Sequence, residues 1–227
     1  MKISIIIPAL NEEKSIGLVL KSIPKIYDKL IVVNNGCSDK TSEVAEKHGA
    51  IVIKEQRRGY GYACLKGIDF LEKFPPDILV FIDGDYSDYP EQINKIVNPI
   101  LKNKSDFVVG SRVITLREKG SMTPQQVFGN KLACFLMNLL YKGTFTDLGP
   151  FRAIRWKTLK DLKMCDKTYG WTIEMQLKVL KNKISYCEVP VNYRKRIGYS
   201  KVSGTFKGTV FAGFKIISWI FKYYLRK

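Results

Sequence analysis

The sequence predicts an α/β fold: a mostly parallel sheet with helices on both faces, extended by amphipathic helical sequence at the C-terminus. Three observations predict it. Short apolar runs of strand length recur through the first half of the chain, each closed by turn residues. Segments with apolar residues at helical spacing separate them, and alternation at this interval means βαβ units and parallel pairing. The strand runs are continuously apolar, as strands covered on both faces must be.

Residues 3–7 form the first strand, ending at Pro8. Asn11 caps a helix with Glu12 and Glu13 in its first turn and Ile16, Val19, Leu20 and Ile23 at helical spacing. Residues 30–33 are the second strand; Asn34-Asn35-Gly36 turns, and Ser38 and Asp39 open a helix over 41–48. The third strand is 50–53, and Gly59-Tyr60-Gly61 precedes a helix over 62–71. The fourth strand is 78–82, after which Pro90 starts a helix to residue 101. The fifth is 107–109, ending at Gly110-Ser111-Arg112. Beyond it the rhythm changes to a helix over 127–141, a short strand over 151–154, a helix over 172–180 and a Val-rich strand over 187–193.

The 227 residues fit one large α/β domain with a small appendage, and 45% hydrophobic content supplies a substantial core. The N-terminus enters a strand pattern directly, so no signal peptide is expected. Five scattered cysteines without a Cys-x-x-Cys pair, and His48 as the single histidine, argue against structural zinc and fit a reducing cytoplasm. The net charge is +17, which calls for an anionic partner: nucleic acid, an anionic membrane surface or phosphorylated substrates. Residues 1–100 are near neutral, so the excess lies in residues 101–227 and the two halves do different work.

Asp83-Gly84-Asp85 is the most informative motif, because it follows a buried strand. Two carboxylates one residue apart suit Mg²⁺ or Mn²⁺ that also touches phosphate oxygens. The crevice beyond the carboxyl ends of parallel strands is where nucleotides bind in α/β proteins. A solvated acidic turn is the plainer reading of such a pair. Its company favours the metal. Pro8-Ala9-Leu10-Asn11-Glu12, Asn34-Asn35-Gly36, Arg57-Arg58-Gly59-Tyr60-Gly61 and Gly110-Ser111-Arg112 end the other strands, and parallel strands place all five on one edge. Together they offer amide groups for a base, arginines for phosphate and carboxylates for a metal.

In order along the chain stand Ile-Ile-Pro-Ala-Leu-Asn-Glu-Glu (6–13), Val-Val-Asn-Asn-Gly-Cys-Ser-Asp (32–39), Arg-Gly-Tyr-Gly (58–61), Asp-Gly-Asp (83–85), Val-Gly-Ser-Arg (109–112), Gly-Pro-Phe-Arg (149–152) and Gly-Trp-Thr-Ile-Glu-Met-Gln (170–176). With these the chain resembles the family-2 glycosyltransferases, and among them the dolichyl- or polyprenyl-phosphate sugar synthases. The resemblance implies a GT-A, Rossmann-like fold, a nucleoside diphosphate sugar donor, Mg²⁺ or Mn²⁺ as cofactor, and inverting transfer to a polyprenyl phosphate. It divides residues 1–204 into a nucleotide-binding half (1–112) and an acceptor half (113–204), with 205–227 as an amphipathic tail. Pro8, Ala9, Asn11 and Glu12 match the segment that cradles the nucleoside, and Asn35, Arg58, Gly59 and Gly84 complete the donor set. Asp83 and Asp85 match the metal and diphosphate motif, with Asp85 the more direct ligand, and Arg112 matches the arginine of the Gly-Ser-Arg segment.

Two departures from the family pattern matter. Relatives carry Asp-Asp-Gly or Asp-Asn-Gly where this chain has Asn34-Asn35-Gly36; the amide still pairs with a pyrimidine edge, and UDP-sugar is favoured over GDP-sugar. In the segment ending Gly198-Tyr199-Ser200-Lys201 the arginine spacing is off by one residue, so Arg196, rather than Arg194, is taken with Lys201 as the phosphate-holding pair; a solvated basic loop is the alternative. A phosphate acceptor is already an anion near neutral pH and needs no general base. A hydroxyl acceptor, soluble or lipid, does need one, and Asp147 is the candidate, its alternative being a turn cap. Glu174 either supports the site from behind or holds Trp171.

A nucleotidyltransferase would open with a glycine-rich basic loop after the first strand; here that loop is acidic and lacks glycine. A nucleic-acid-binding protein would fit the charge and leave Asp83 and Asp85 unexplained, so no nucleic acid partner is expected. The tail interleaves aromatics with lysines and is too charged for a span of about 20 apolar residues. It reads as an interfacial helix that holds the enzyme peripherally on the cytoplasmic membrane face, or as a helix packed on its own domain.

Overall fold

The computed structural model describes residues 1–199 and 206–225. Among these residues seven strands form one sheet: β1 (Ile3–Ala9), β2 (Lys29–Asn34), β3 (Ile51–Lys54), β4 (Ile78–Phe81), β5 (Phe107–Ser111), β6 (Arg152–Arg155) and β7 (Tyr186–Pro190), in the order β3-β2-β1-β4-β6-β5-β7. β3, β2, β1 and β4 pair in parallel. β6 runs antiparallel between β4 and β5, and β7 is parallel to β5. The chain winds outward from β1 through β2 to β3, then returns to lay β4 on the other side of β1. That reversal opens a crevice above the carboxyl ends of β1 and β4, where open α/β sheets bind ligands.

Alternate strand residues feed two cores, as the two-residue period demands. Ile5, Ile7, Val32 and Val80 face a layer built by α1 (Ile16–Ser22), α2 (Thr41–Lys47) and α4 (Ile93–Leu101). Ile6, Ile31, Leu79 and Phe81 face the opposite layer: α3 (Tyr60–Leu71), α5 (Pro124–Tyr141), α6 (Trp156–Leu162), α7 (Trp171–Lys181) and α8 (Phe206–Leu225). The buried apolar strands are explained by these two covers.

Three local expectations are corrected, and one helix is added. Asn11 does not cap α1: it is left-handed at φ 54°, and α1 begins at Ile16 after Ser15. Its Oδ1 instead accepts from Ser38 N at 2.8 Å, tying the loop after β1 to the loop after β2. Asparagine tolerates that conformation better than most side chains. Pro90 starts a 3₁₀ turn over Pro90–Gln92, and α4 follows from Ile93. α5 starts at Pro124, earlier than the apolar pattern suggests, because Thr123 and Gln126 form a capping box and Pro124 occupies the first helical position. α6 was not foreseen, since it begins directly where β6 ends.

α8 packs against α5 and α7. Ile220 and Trp219 are buried, and Tyr141 Oη donates to the Ile220 carbonyl at 2.5 Å. The tail is therefore joined to the domain core through one face. Its other face carries Phe211, Phe214, Phe221 and Leu225 exposed, at spacing that keeps them on one stripe. Phe128, Phe135 and Leu139 are exposed on α5.

Candidate active site

A cleft of about 530 Å³ lies over the β1–β4 reversal. Its floor is Pro8 and Ala9 from the end of β1, with Glu12 beyond them, and Asp83, Gly84 and Asp85 from the end of β4. Asn35, Arg58 and Gly59 form one wall, Thr168 and Tyr169 another, and Arg196 closes a third side. Residues remote in sequence meet here because strand ends converge. Asn11, Arg112 and Asp147 are not among the lining residues, and Lys201 lies outside the described residues.

Asp83 Oδ1 accepts a hydrogen bond from Tyr60 Oη at 3.0 Å. Burial, and then the neighbouring Asp85 charge, push the Asp83 carboxyl up to about 7. Asp85 Oδ1 accepts from Ser87 N at 2.9 Å and Ser87 Oγ at 2.6 Å, while its Oδ2 pairs with Arg196 at 3.1 Å. The same guanidinium reaches Glu12 Oε1 at 3.0 Å, so Arg196 bridges the loops after β1 and β4 across the cleft. Asp85 thus shapes its own turn as well as facing the cleft.

Among the described residues no three His, Cys, Asp or Glu groups converge as a complete metal cage. Asp83 and Asp85 instead make an open two-carboxylate site. That donor set fits Mg²⁺ or Mn²⁺, which take their remaining oxygens from water and phosphate, and the Arg196 contact marks a place where positive charge is stabilised.

Asn35 has both ends of its amide engaged by backbone. Nδ2 donates to Arg57 O at 2.7 Å, and Oδ1 accepts from Gly59 N at 2.8 Å. These bonds tie Asn35 into the cleft wall, in the place where its amide was expected to meet a base. Arg58 is exposed beside it. Gly59 and Gly61 are glycines for a steric reason, since a Cβ on either would run into the carbonyls of Lys167 and Asp166. Gly61→Ala should therefore lower stability by about 2 kcal/mol, a Tm fall of roughly 4–8 °C in a thermal melt. An unchanged melting curve would mean the loop over Asp166 yields freely.

Behind the cleft, Arg112 and Asp147 form a bidentate pair, Nη2 to Oδ1 at 2.6 Å and Nε to Oδ2 at 2.8 Å, and Arg112 N adds a third bond at 2.7 Å. Burial acts to raise the Asp147 carboxyl, but Arg112 outweighs it and holds the carboxyl below the usual range. A carboxylate so engaged is a poor proton acceptor; Asp147, the candidate general base for a hydroxyl acceptor, is committed to Arg112 in this structure. Glu174 is fully buried and accepts from Cys165 N at 2.9 Å and Asp166 N at 2.7 Å, so it holds the loop that ends in Thr168 and Tyr169. Those two cleft residues escaped sequence reasoning because they sit in irregular chain without periodicity. Asp88 escaped it too. It is buried, its carboxyl pushed well above the usual range by burial and then by Asp83, and both its oxygens lack a hydrogen-bond partner among the described residues.

The sequence pattern of glycosyl transferase family 2 matches residues 4–163. The chain belongs to that family. This family-2 glycosyltransferase is 33% identical over 225 residues to an uncharacterised protein of Methanocaldococcus jannaschii, covering 95% of this chain and 89% of that one. It is 32% identical to the UDP-N-acetylglucosamine–dolichyl-phosphate N-acetylglucosaminyltransferase of Methanococcus voltae, over 94% of this chain and 92% of the relative. It is 31% identical to a dolichyl-phosphate hexose transferase of Haloferax volcanii, over 88% and 86% of the two chains. Among solved structures, glucosyl-3-phosphoglycerate synthase of Mycobacterium tuberculosis in complex with Mn²⁺, UDP and phosphoglyceric acid superposes with a TM-score of 0.79 at 23% identity, covering 99% of this chain and 78% of that one. The glycosyltransferase has the GT-A fold.

Proposed function

We propose that this glycosyltransferase moves a sugar from a nucleoside diphosphate sugar, UDP-sugar in the first instance, to a polyprenyl phosphate, with inversion and with Mg²⁺ or Mn²⁺. The observation that carries the reading is the convergence of Asp83, Asp85, Arg58 and Arg196 on one cleft. The relatives named for dolichyl phosphate support the acceptor class.

Each residue has a defined task in that reaction. Pro8, Ala9 and the wall built by Asn35 and Gly59 receive the nucleoside. Asp83 and Asp85 would hold the metal, which supplies charge stabilisation to the departing diphosphate. Arg58 adds positive charge on the donor side. Arg196 leaves its contacts with Asp85 and Glu12 to meet phosphate, joined by Lys201. An acceptor phosphate attacks as an anion, so no side chain need take a proton. That agrees with Asp147 being committed to Arg112.

Transfer from labelled UDP-sugars with Mn²⁺ tests the acceptor directly. Polyprenyl phosphate should be glycosylated and the matching polyprenol should not; transfer to the alcohol alone would move the hydroxyl reading to first place. Arg196→Lys should raise the acceptor KM about tenfold or more, because a lysine cannot reproduce the planar two-point contact with phosphate. A kinetically silent Arg196→Lys would confine Arg196 to its structural bridge between Glu12 and Asp85.

We place the enzyme peripherally on the cytoplasmic membrane face. No helix among the described residues is long and apolar enough to cross a membrane. The outward phenylalanines of α5 and α8 and the +17 charge support attachment to an anionic surface. Because Ile220 is buried, deleting the tail would damage the core, so substitution of the outer stripe is the cleaner test. Phe214→Ser with Phe221→Ser should cut co-flotation with anionic liposomes about tenfold or more, since each removed phenylalanine contributes about 2 kcal/mol of burial. Wild-type binding should also weaken as salt rises. Wild-type protein that stays off the liposomes at low salt would sink the membrane assignment.

A further inference from the structure

The carboxylate of Asp166 joins two parts of the molecule with no connection in sequence. It is 2% exposed. Oδ1 accepts from Thr168 N at 2.7 Å and Gly170 N at 3.0 Å, folding the loop that carries Thr168 and Tyr169 into the cleft wall. Oδ2 accepts from Trp219 Nε1 at 2.8 Å and pairs with Lys215 Nζ at 2.8 Å, both from α8. Lys215 also donates to the Thr168 hydroxyl itself. Gly170 sits under the Trp219 indole so closely that a Cβ there would collide with it. On its far side the same loop rests on α3, where Tyr62 N donates to Lys167 O at 3.0 Å, one turn from Arg58 and Gly59.

A cleft wall built from irregular chain needs something to hold it, and hydrogen bonds to a charged group are the stronger kind available. We infer that α8 is a working part of the nucleotide cleft: Lys215 and Trp219, acting through Asp166, are positioning residues that set the Thr168–Tyr169 wall against the bound donor. The inference rests on the reading of this cleft as the nucleotide-sugar site. It gives the C-terminal helix a role separate from its outer face, because the residues that dock on Asp166 point inward and the exposed phenylalanines point away. Asp166 is buried with a cation and an indole N–H as partners, so removing those partners leaves its charge to be satisfied by the two loop amides alone.

The test compares the full chain with Lys215→Met/Trp219→Phe and with Lys215→Arg. The double variant keeps α8 apolar and helical while deleting both polar contacts; the arginine keeps the charge. Calorimetry with UDP and Mn²⁺ should show the double variant binding about tenfold more weakly, the scale of one charge-assisted hydrogen bond, with donor KM rising in parallel and kcat within about twofold. Amide exchange should accelerate at Thr168 and Gly170 and stay unchanged in β1 and β4. Lys215→Arg should restore most of both. Unchanged exchange at Thr168 and Gly170 in the double variant would overturn the inference, as would faster exchange throughout the sheet, which would mean a general loss of stability. Wild-type protein that does not bind UDP with Mn²⁺ would remove the nucleotide reading itself, while the exchange comparison still decides whether α8 holds the wall.

Discussion

Asp85→Asn is expected to lower sugar transfer by about a thousandfold, the loss seen when a preorganised charge contact to a reacting group is removed. The substitution is chosen for what it keeps. An asparagine oxygen can still accept from Ser87 N and Oγ, which Asp85 holds at 2.9 and 2.6 Å, so the turn is preserved where alanine would release it. What disappears is one of two negative charges offered to a divalent cation. Asp83→Asn should behave alike, because its oxygen still accepts from Tyr60 Oη. In the wild type, EDTA should abolish transfer and added Mn²⁺ restore it. Either variant retaining full activity in EDTA would end the metal assignment. Metal affinity should also depend on pH with a defined sign. Asp83 is held at about 7, chiefly by burial and then by Asp85, against the nearby Arg196 and Arg112 charges and the Tyr60 hydrogen bond. Metal needs the carboxylate, so loading releases a proton and affinity should fall as pH drops below about 7. Titration with Mn²⁺ at pH 6 and pH 8 measures it.

Arg112→Ala is expected to cost about 3–5 kcal/mol of stability, because it leaves the buried Asp147 charge without its cation. Both side chains are nearly enclosed, at 12% and 5% exposure, and share two side-chain bonds. Denaturant melts should show the loss near neutral pH. A double variant with Asp147→Asn should recover part of it, since the uncompensated charge is then gone. The pH dependence follows from direction. Asp147 is depressed in the folded protein, so its contribution is present above the usual carboxylate range and is lost as pH falls through the folded value. In the single variant the guanidinium is gone and only the backbone hydrogen bonds from residue 112 and Leu148 still oppose burial, so the Asp147 carboxyl moves up from its wild-type value and the deficit against wild type should shrink toward acid. A deficit that stays constant from pH 7 to pH 4 would assign the loss to packing in place of charge. Lys in place of Arg112 should rescue little, since it cannot make the bidentate contact.

The parts of the site that were legible in the sequence are those carried by local chemistry. Asp83-Gly84-Asp85 after an apolar run, Pro8-Ala9 at the end of another and Gly59 before a helix each follow from residues within one turn of themselves, and all line the cleft. Continuous apolar strands also required covers on both faces, and two cores answer to them. The strand order was not legible, because runs such as 31–33 and 79–81 are chemically interchangeable and any could pair with β1. Neither was the antiparallel β6, whose orientation depends on where residues 113–151 return to the sheet.

Contacts across long separations belong to the tertiary structure alone. Arg196 meets Glu12 from 184 positions away, and Trp219 meets Asp166 from 53. Asn35 directly follows β2 and Asp147 lies in the irregular chain before β6, yet only packing decided that one faces backbone and the other an arginine. The reason is physical. Secondary structure and turn chemistry are set by neighbours along the chain. The partner of a buried polar group is set by whatever the fold brings within about 3 Å of it, and a buried group with no partner is costly enough that the fold must supply one. By itself the sequence determined an α/β sheet with a metal-suited edge; the tertiary structure decided which of its polar residues face the cleft and which hold it in shape.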